Sequence, residues 1–344
     1  MASPIPTHPV FSTRATIASW FIVILLFVLF APTALAASKP SPVSKHGALS
    51  VSKNQIVNQQ GQPVSLAGPS LFWSWDGAQG EAFYTADVVK YVARQWQAGL
   101  IRAAMAAQGK GSYLDSPKSN EGKVDVVVKA AIEEGLYVII DWHSHQAEQD
   151  VEKAKTFFRN MATRYGDQDN VIYEIYNEPL NTTDWDTVIK PYSQALIAAI
   201  REIDPDNLIL VGTQTWSQDV DKVIANPITD ATNIAYSLHF YAGTHKQALR
   251  DKAKQALLAG IPLFVSEWGT VNANGDGAIA HEEVEQWLAF IRDNQLSFAT
   301  WSMTNKKEGS AIFKPATDPL KPLSDKDLTE NGIYLKSIIK QWGY

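Results

Sequence analysis

The chain contains no cysteine, which removes disulfide scaffolds, thiolate nucleophiles and cysteine-ligated metals at once. The absence says nothing about export, because 344 residues can bury a core that stands without disulfide staples. Positive charge is also short: 30 Lys+Arg against 36 Asp+Glu give a formal net charge of −6. Without clustered cations to neutralise phosphates, nucleic acid is not an expected partner. No Gly-x-Gly-x-x-Gly or P-loop follows the first strand-like run, which argues against a doubly wound nucleotide-binding sheet. Beyond residue 47 there is no Pro/Ser/Thr linker or low-complexity tract, so a single domain over residues 48–344 is expected.

Long apolar stretches are missing as well. The run Trp20–Phe30 has 11 residues, well short of the roughly 20 that a spanning helix needs. Followed by Ala34-Leu35-Ala36, it reads as a signal peptide over residues 1–36, with an uncleaved anchor as the alternative because Arg14 is the one basic residue ahead of it. Either way the working domain lies outside the cytoplasm, with no stable membrane partner once the signal is removed. Residues 37–47 read as a flexible lead-in.

What is present is a recurrence of short apolar runs followed by helical patterns. The strand candidates are Val64–Pro69, Leu100–Met105, Tyr137–His143, Val171–Asn177, Leu208–Gly212, Ile234–Tyr241, Leu263–Trp268 and Phe298–Met303. They are continuously apolar rather than alternating, as parallel strands covered on both faces should be. Between and after them lie amphipathic stretches such as Thr85–Gln97, Val124–Glu134, Val151–Tyr165, Asp186–Ile203, Lys246–Ala259, Glu282–Asn294 and Leu328–Trp342. Gly99, Gly135, Gly166 and Gly260 fit helix C-caps. The crossover after Trp216 is the least regular. Eight such units predict a single (β/α)8 barrel of the α/β class.

In such a barrel the strand C-termini converge on one mouth. Polar residues fall there with unusual density: Arg102 on the second strand, Asp141-Trp142-His143 ending the third, Asn177-Glu178-Pro179 the fourth, His239-Phe240-Tyr241 the sixth, Ser266-Glu267-Trp268 the seventh, and Trp301 on the eighth. A lone glutamate before proline, or a lone histidine at a strand end, is usually structural. Two carboxylates on opposing strand ends, with an arginine, a tyrosine and tryptophans around them, fit glycoside hydrolysis. Arg102 and Tyr241 near Glu267 would favour its ionised form, and repulsion from Glu267 would keep a proton on Glu178.

The segments IIDWHSH, VIYEIYNEPL, LHFYAGTH, FVSEWGT and WSMTNKKEG resemble glycoside hydrolase family 5, in its bacterial endoglucanase branch, and the resemblance covers about residues 48–344. It implies a retaining endo-β-1,4-glucanase acting on cellulose or soluble β-glucan, with action on mannan, xylan or mixed-linkage glucan as the alternative. Glu178 would then be the acid/base and Glu267 the nucleophile. Arg102, His143, Asn177, His239 and Tyr241 would line the reacting subsite, with Trp301 stacking a sugar there. Lys306 and Glu308 would bond hydroxyls further towards the non-reducing side, and Trp216 would be a platform on the leaving-group side. Trp73 and Trp75 are both candidates for a further platform. No cofactor is implied, and the chain is expected to act as a monomer.

Two metal readings compete with this. Asn272-x-Asn274-x-Asp276-Gly277 followed by Glu283 resembles a calcium loop, but a strand leads into it and the first aspartate is missing; an Asn/Gly turn is the plainer reading. His143 and His145 lack an evident third ligand, so no zinc site is expected.

Overall fold

The computed structural model describes residues 1–12, which have no regular secondary structure, and 40–343. The apolar run Trp20–Phe30 and the cleavage point after Ala36 lie outside the described residues. Among the described residues no helix is long and apolar enough to cross a membrane.

Two short strands, β1 (Ser50–Ser52) and β2 (Gln55–Val57), form an antiparallel hairpin. The next eight, β3 (Ala67–Leu71), β4 (Leu100–Ala106), β5 (Tyr137–His143), β6 (Val171–Glu174), β7 (Ile209–Val211), β8 (Ile234–Tyr241), β9 (Leu263–Gly269) and β10 (Phe298–Met303), are parallel and close into a barrel, with β10 paired to β3. The helices are α1 (Pro42–His46), α2 (Ala86–Tyr91), α3 (Pro117–Glu134), α4 (Val151–Tyr165), α5 (Lys190–Arg201), α6 (Gln214–Ser217), α7 (Gln247–Leu258), α8 (His281–Asp293) and α9 (Glu330–Trp342). The predicted (β/α)8 architecture is therefore present.

Several boundaries differ from expectation. The first barrel strand begins at Ala67, not Val64, because Val64 pairs back to Ile56 in the hairpin region (2.9 Å). Helix α3 starts at Pro117, where proline sits at the helix start and its missing N–H costs nothing; the polar stretch behind it hides the helical period. The crossover after β7 has only α6 and a short 3-10 turn, Val220–Ala225, in place of a full helix. Among the expected caps, Gly135 is left-handed (φ 67, ψ 30) and so is Gly260 (φ 89). Gln97 rather than Gly99 takes that conformation (φ 53, ψ 41), and Gly166 stays right-handed (φ −67).

The segment read as a flexible lead-in is also different. From Pro42 it is helix α1, capped by the Ser41 hydroxyl on Ser44 N–H (3.2 Å). Val43 N–H donates to Gly135 O (3.0 Å) and the Tyr137 hydroxyl to Gly47 O (2.5 Å). The hairpin that follows lies over the strand N-termini: Val51 N–H reaches Asn233 Oδ1, and Asn54 and Gln55 reach Leu257 O and Asn294 O.

Alternate residues along each strand face the barrel axis. At the bottom these are Leu100, Ile139, Ile172, Leu210, Ala235 and Phe264, which pack on Leu49, Ile56, Val64 and Leu66. The opposite parity, including Ile101, Val138, Tyr173 and Val265, packs against the helices. Two residues higher the interior turns polar: Arg102, Asp141, Glu174, Ser237 and Ser266 are all fully buried.

One irregularity positions the site. On β8 the partners run Ser237↔Phe264 and then His239↔Glu267; on β10 they run Phe298↔Val265 and then Thr300↔Trp268. Two steps on either neighbour are matched by three on β9, so β9 bulges. The extra residue lets both Ser266 and Glu267 face the interior while Trp268 packs outward.

Because α1 is integral to the floor, a chain starting at Pro40 should melt with the full-length protein, whereas one starting at Leu49 should melt at least ~2 °C lower. Thermal unfolding followed by circular dichroism checks this, and equal melting temperatures for the two truncations would refute it.

Candidate active site

The centre of the mouth is the Arg102 guanidinium, which has no solvent exposure. Its Nε donates to Glu174 Oε2 (2.7 Å), Nη1 to Glu267 Oε2 (2.8 Å), and Nη2 to Asn177 Oδ1 (2.7 Å) and towards Asp141 Oδ2 (2.9 Å). One cation thus organises the ends of β5, β6 and β9 and the loop after β6. A planar five-donor group is suited to this, since it can bind several acceptors in fixed directions. The remaining Glu267 oxygen accepts from the Tyr241 hydroxyl (2.8 Å).

Glu178 is held from the other side of the cleft. Its Oε1 lies 3.0 Å from His239 Nδ1, and His239 Nε2 lies 2.9 Å from the Ser266 hydroxyl. His145 Nδ1 is 3.6 Å from Glu178 Oε2. One ligating atom each from Glu178, His239 and Glu267 falls within 4.8 Å of the others. A cation could use such spacing, but both Glu267 oxygens already accept from Arg102 and Tyr241, and both His239 nitrogens are engaged. The donor set does not fit a resident metal.

The electrostatics follow from burial and this wiring. Burial and the nearby Glu178 push the Glu267 carboxyl up from its ordinary value, and Arg102, His239 and Tyr241 pull it back. Burial opposes charge on Glu174 too, but Arg102 and His239 outweigh it and hold this carboxyl down at about 2. Burial alone would discharge His239, yet Glu174, 3.5 Å from Nε2, and Glu178, hydrogen-bonded at Nδ1, raise it to about 9. His143 goes the other way: burial, then the Arg102 charge, keeps it neutral, with Nδ1 2.6 Å from Asp141 Oδ2.

Above this buried layer opens a cavity of about 640 Å³. Glu178, Glu267, His143, Tyr241 and Trp301 form its floor and walls. Trp301 stacks on His143 (5.3 Å, 5°). Lys306 and Glu308 sit in the same cavity as an ion pair (2.5 Å), with the Lys306 ammonium 5.6 Å from the Phe72 ring. Trp216 is 37% exposed and lies beside the Glu178 loop, its N–H donating to Pro179 O (2.8 Å). Arg102, Asn177 and His239 are behind the lining, in hydrogen-bond contact with Glu267, Arg102 and Glu178. Every residue singled out from the sequence is therefore brought to one site.

Trp216 stands on an unusual turn. Thr215, Trp216 and Ser217 all have positive φ (60°, 54° and 58°), which costs a non-glycine residue roughly 1–2 kcal/mol each. The turn is fastened by Ser217 Oγ to Asn177 O (2.7 Å) and Thr215 Oγ1 to Asp219 Oδ2 (2.7 Å). The strain is thus held by the loop that carries Glu178.

The structure separates Trp73 from Trp75. Trp73 lines the cavity and meets His143 edge-on (4.0 Å, 88°), while Trp75 stacks behind it (4.4 Å, 11°) and donates to Gln108 O (2.8 Å). The Asn272–Asp276 segment is a turn: Asp276 Oδ1 accepts from Gly309 N–H (2.8 Å), and Glu283 is within α8, paired to Arg250. Sequence reasoning missed Glu174 and Ser237 as members of the site, placed Ser266 at the mouth without a role, and missed His145 and His245 as lining residues. Glu174 could have been found by the rule that found Arg102, since a charge inside an apolar strand run needs a partner. A larger cavity of about 980 Å³ lies on the flank between α2 and α9. Its charges are surface pairs such as Lys336 with Asp325.

Two carboxylates opposed across a tryptophan-walled cleft, at the C-terminal mouth of a (β/α)8 barrel, define the glycoside hydrolase class. The profile of the cellulase family, glycosyl hydrolase family 5, matches residues 57–307. The chain is 51% identical over 296 residues to endoglucanase Z of Dickeya dadantii, covering 86% of this chain and 67% of that protein. It is 40% identical over 324 residues to an endoglucanase of Clostridium saccharobutylicum, covering 92% and 70%. Among solved structures, the catalytic domain of Thermobifida fusca endoglucanase Cel5A superposes with a TM-score of 0.82 at 30% identity, over 88% of this chain and 100% of that one; a variant of that domain was solved with cellotetraose. The chain belongs to glycosyl hydrolase family 5.

Removing one member of a fully buried charge network leaves the others uncompensated. Arg102→Met should lower stability by roughly 3–5 kcal/mol, read as a drop in the urea midpoint at neutral pH. A change under ~1 kcal/mol would show that the network is not held by this cation.

Proposed function

We propose that this chain is a retaining endo-β-1,4-glucanase, with Glu267 as nucleophile and Glu178 as acid/base. The observation that carries the reading is the approach of the two carboxyl groups, which bring an oxygen of each within 4.8 Å. That suits direct attack at the anomeric carbon, for which a separation of about 5–5.5 Å is typical; an inverting site must leave room for a water at about 6.5–9.5 Å. The cellotetraose bound by the Thermobifida domain supports a β-1,4-glucan as substrate. An extracellular polymer also suits export, which rests on the leader Trp20–Phe30 and Ala34-Leu35-Ala36.

In the first step a Glu267 oxygen attacks the anomeric carbon and the glycosidic C–O bond breaks. Glu178 delivers its proton to the departing oxygen. Arg102 and Tyr241 aim the nucleophile and bind it as a carboxylate. Asn177 has its Oδ1 committed to Arg102 and a buried Nδ2 with no partner, which is a donor ready for the sugar 2-hydroxyl. Glu178 has given up its proton in the first step, and in the second it takes a proton from the attacking water. That water's oxygen bonds to the anomeric carbon as Glu267 leaves. Trp301 and Trp73 offer faces for sugar rings on the glycone side, with Lys306 and Glu308 for their hydroxyls; Trp216 serves the leaving sugar.

Glu178→Gln and Glu267→Gln should each abolish release of reducing sugar from carboxymethyl-cellulose with the fold intact by circular dichroism. Proton NMR of early wild-type products should show the β-anomer first. Full activity in either variant, or α-product first, would sink these assignments.

The pH profile follows from the same pair. The proton on His239, 3.0 Å from Glu178 Oε1, is held by its carboxylate neighbours until pH rises through about 9; kcat/KM should fall as that positive charge is lost. Productive enzyme also needs Glu267 ionised. Its upward displacement places the acidic limb above the ordinary glutamate value of about 4.3. Measuring kcat/KM on a soluble β-glucan from pH 3 to 11 checks both limbs, and a profile flat through pH 9 would contradict the first.

A further inference from the structure

Two fully buried carboxylates of the charged layer, Asp141 and Glu174, take no part in the two-glutamate reaction. Glu174, on β6 beneath the cleft, accepts from Arg102 Nε on Oε2 (2.7 Å). On Oε1 it accepts from the hydroxyls of Ser237 (2.8 Å) and Ser266 (2.5 Å). A serine has a single hydroxyl proton; both hydroxyls reach the same carboxylate oxygen, the two serine oxygens lie 3.0 Å apart, and Glu174 Oε1 is itself 3.5 Å from His239 Nε2. The Ser266 oxygen, 2.9 Å from His239 Nε2, is therefore left to accept. That fixes the imidazole with a proton on Nε2. It leaves Nδ1, 3.0 Å from Glu178 Oε1, as the nitrogen at which a proton comes and goes.

We propose that Glu174 is a positioning residue for the reaction: by drawing the Ser266 proton away from His239 it fixes the imidazole tautomer, so that the mobile proton of the site lies in the hydrogen bond between His239 Nδ1 and Glu178. This rests on the reading of Glu178 as the acid. Glu174 and the Ser237/Ser266 pair would otherwise be a costly way to fill a barrel interior, since buried polar groups gain nothing over well-packed apolar ones unless they serve a further purpose. The charges around His239 are consistent with this. Glu174, Glu178 and Glu267 favour its protonated form, and Asp141 of β5 and His143 also feel it electrostatically. Arg102 stands between Glu174 and Glu267, so the one strong cation beneath the cleft is already committed to carboxylates.

Glutamine at position 174 separates the roles. Its amide oxygen would face the Arg102 cation, which turns the NH2 towards Ser237 and Ser266. Ser266 would then accept from the amide and donate to His239 Nε2, moving the imidazole proton to Nδ1. Glu178 would face a fixed donor and lose the proton it must deliver.

Imidazole 15N NMR of the intact protein reads the tautomer directly. His239 should carry a proton on Nε2 throughout pH 5–10 in the wild type, and on Nδ1 in the neutral form of Glu174→Gln. Kinetically, Glu174→Gln should lower kcat/KM on carboxymethyl-cellulose at least ~tenfold, and on 2,4-dinitrophenyl β-cellobioside, whose leaving group needs no proton, by no more than about threefold. The wild-type imidazole spectrum decides the matter if Glu174→Gln does not fold, and in Ser266→Ala the Glu174 carboxylate, 3.5 Å from Nε2, should keep the proton on that nitrogen. A wild-type neutral imidazole protonated on Nδ1, or equal losses on the two substrates, would overturn the proposal. Full activity of Glu178→Gln would overturn the assignment of the acid instead, while the imidazole spectrum would still report on Glu174.

Discussion

The buried Arg102 guanidinium is the constraint on which the rest of the site depends. A full charge without solvent is tolerable only when its donors are answered by acceptors at good geometry. Here Glu174, Glu267, Asp141 and Asn177 answer them from three strands and a loop. The same bonds that satisfy the cation set the direction of Glu267 and orient the amide of Asn177. Stability and preorganisation are therefore one arrangement seen twice. The anions exceed what Arg102 alone can balance, and His239 supplies further positive charge beside Glu178.

The layering of the barrel explains why such a network can exist. Apolar side chains fill the lower interior, and α1 with the β1–β2 hairpin closes it from beneath. Water has no route to the charged layer from below, so the field of Arg102 is screened little and acts at full strength on the mouth. Above, the cavity is open and aromatic. The left-handed turn at Thr215–Ser217 shows the cost of that openness: an aromatic face is held in solvent by strained backbone, tied to the very loop that presents Glu178.

Much of this was legible in the sequence. Continuous apolar runs such as Tyr137–His143 gave away parallel strands, and polar residues at their ends, Glu178 and Glu267 above all, marked the mouth. Helix α4 was readable to its boundaries because its apolar period is strong. Helix α1 was not, because five residues carry no period; what orders them is the contact of Val43 with Gly135 and of the Gly47 cap with Tyr137 in the folded state. Glu174 was hidden for a different reason. It lies inside a run, not at its end, and a rule that looks at strand ends passes over it. The choice between Trp73 and Trp75 depends on which ring is in front in a stacked pair, which no spacing encodes.

The bulge in β9 has a consequence for how this protein can vary. Strict alternation would put Ser266 and Glu267 on opposite faces, and only the extra residue between Val265 and Trp268 turns both inward. The requirement there is on the count of residues as well as their identity. Substitutions along β9 change one side chain at a time, but a single deletion at the bulge would make two steps match two. Glu267 would stay opposite His239 and Trp268 outward, while the second inward position, the one from which Ser266 reaches Glu174 and His239, would be removed. Among descendants of this sequence, insertions and deletions should therefore collect in the loops that end the crossovers, and this strand should keep its length even where its letters drift.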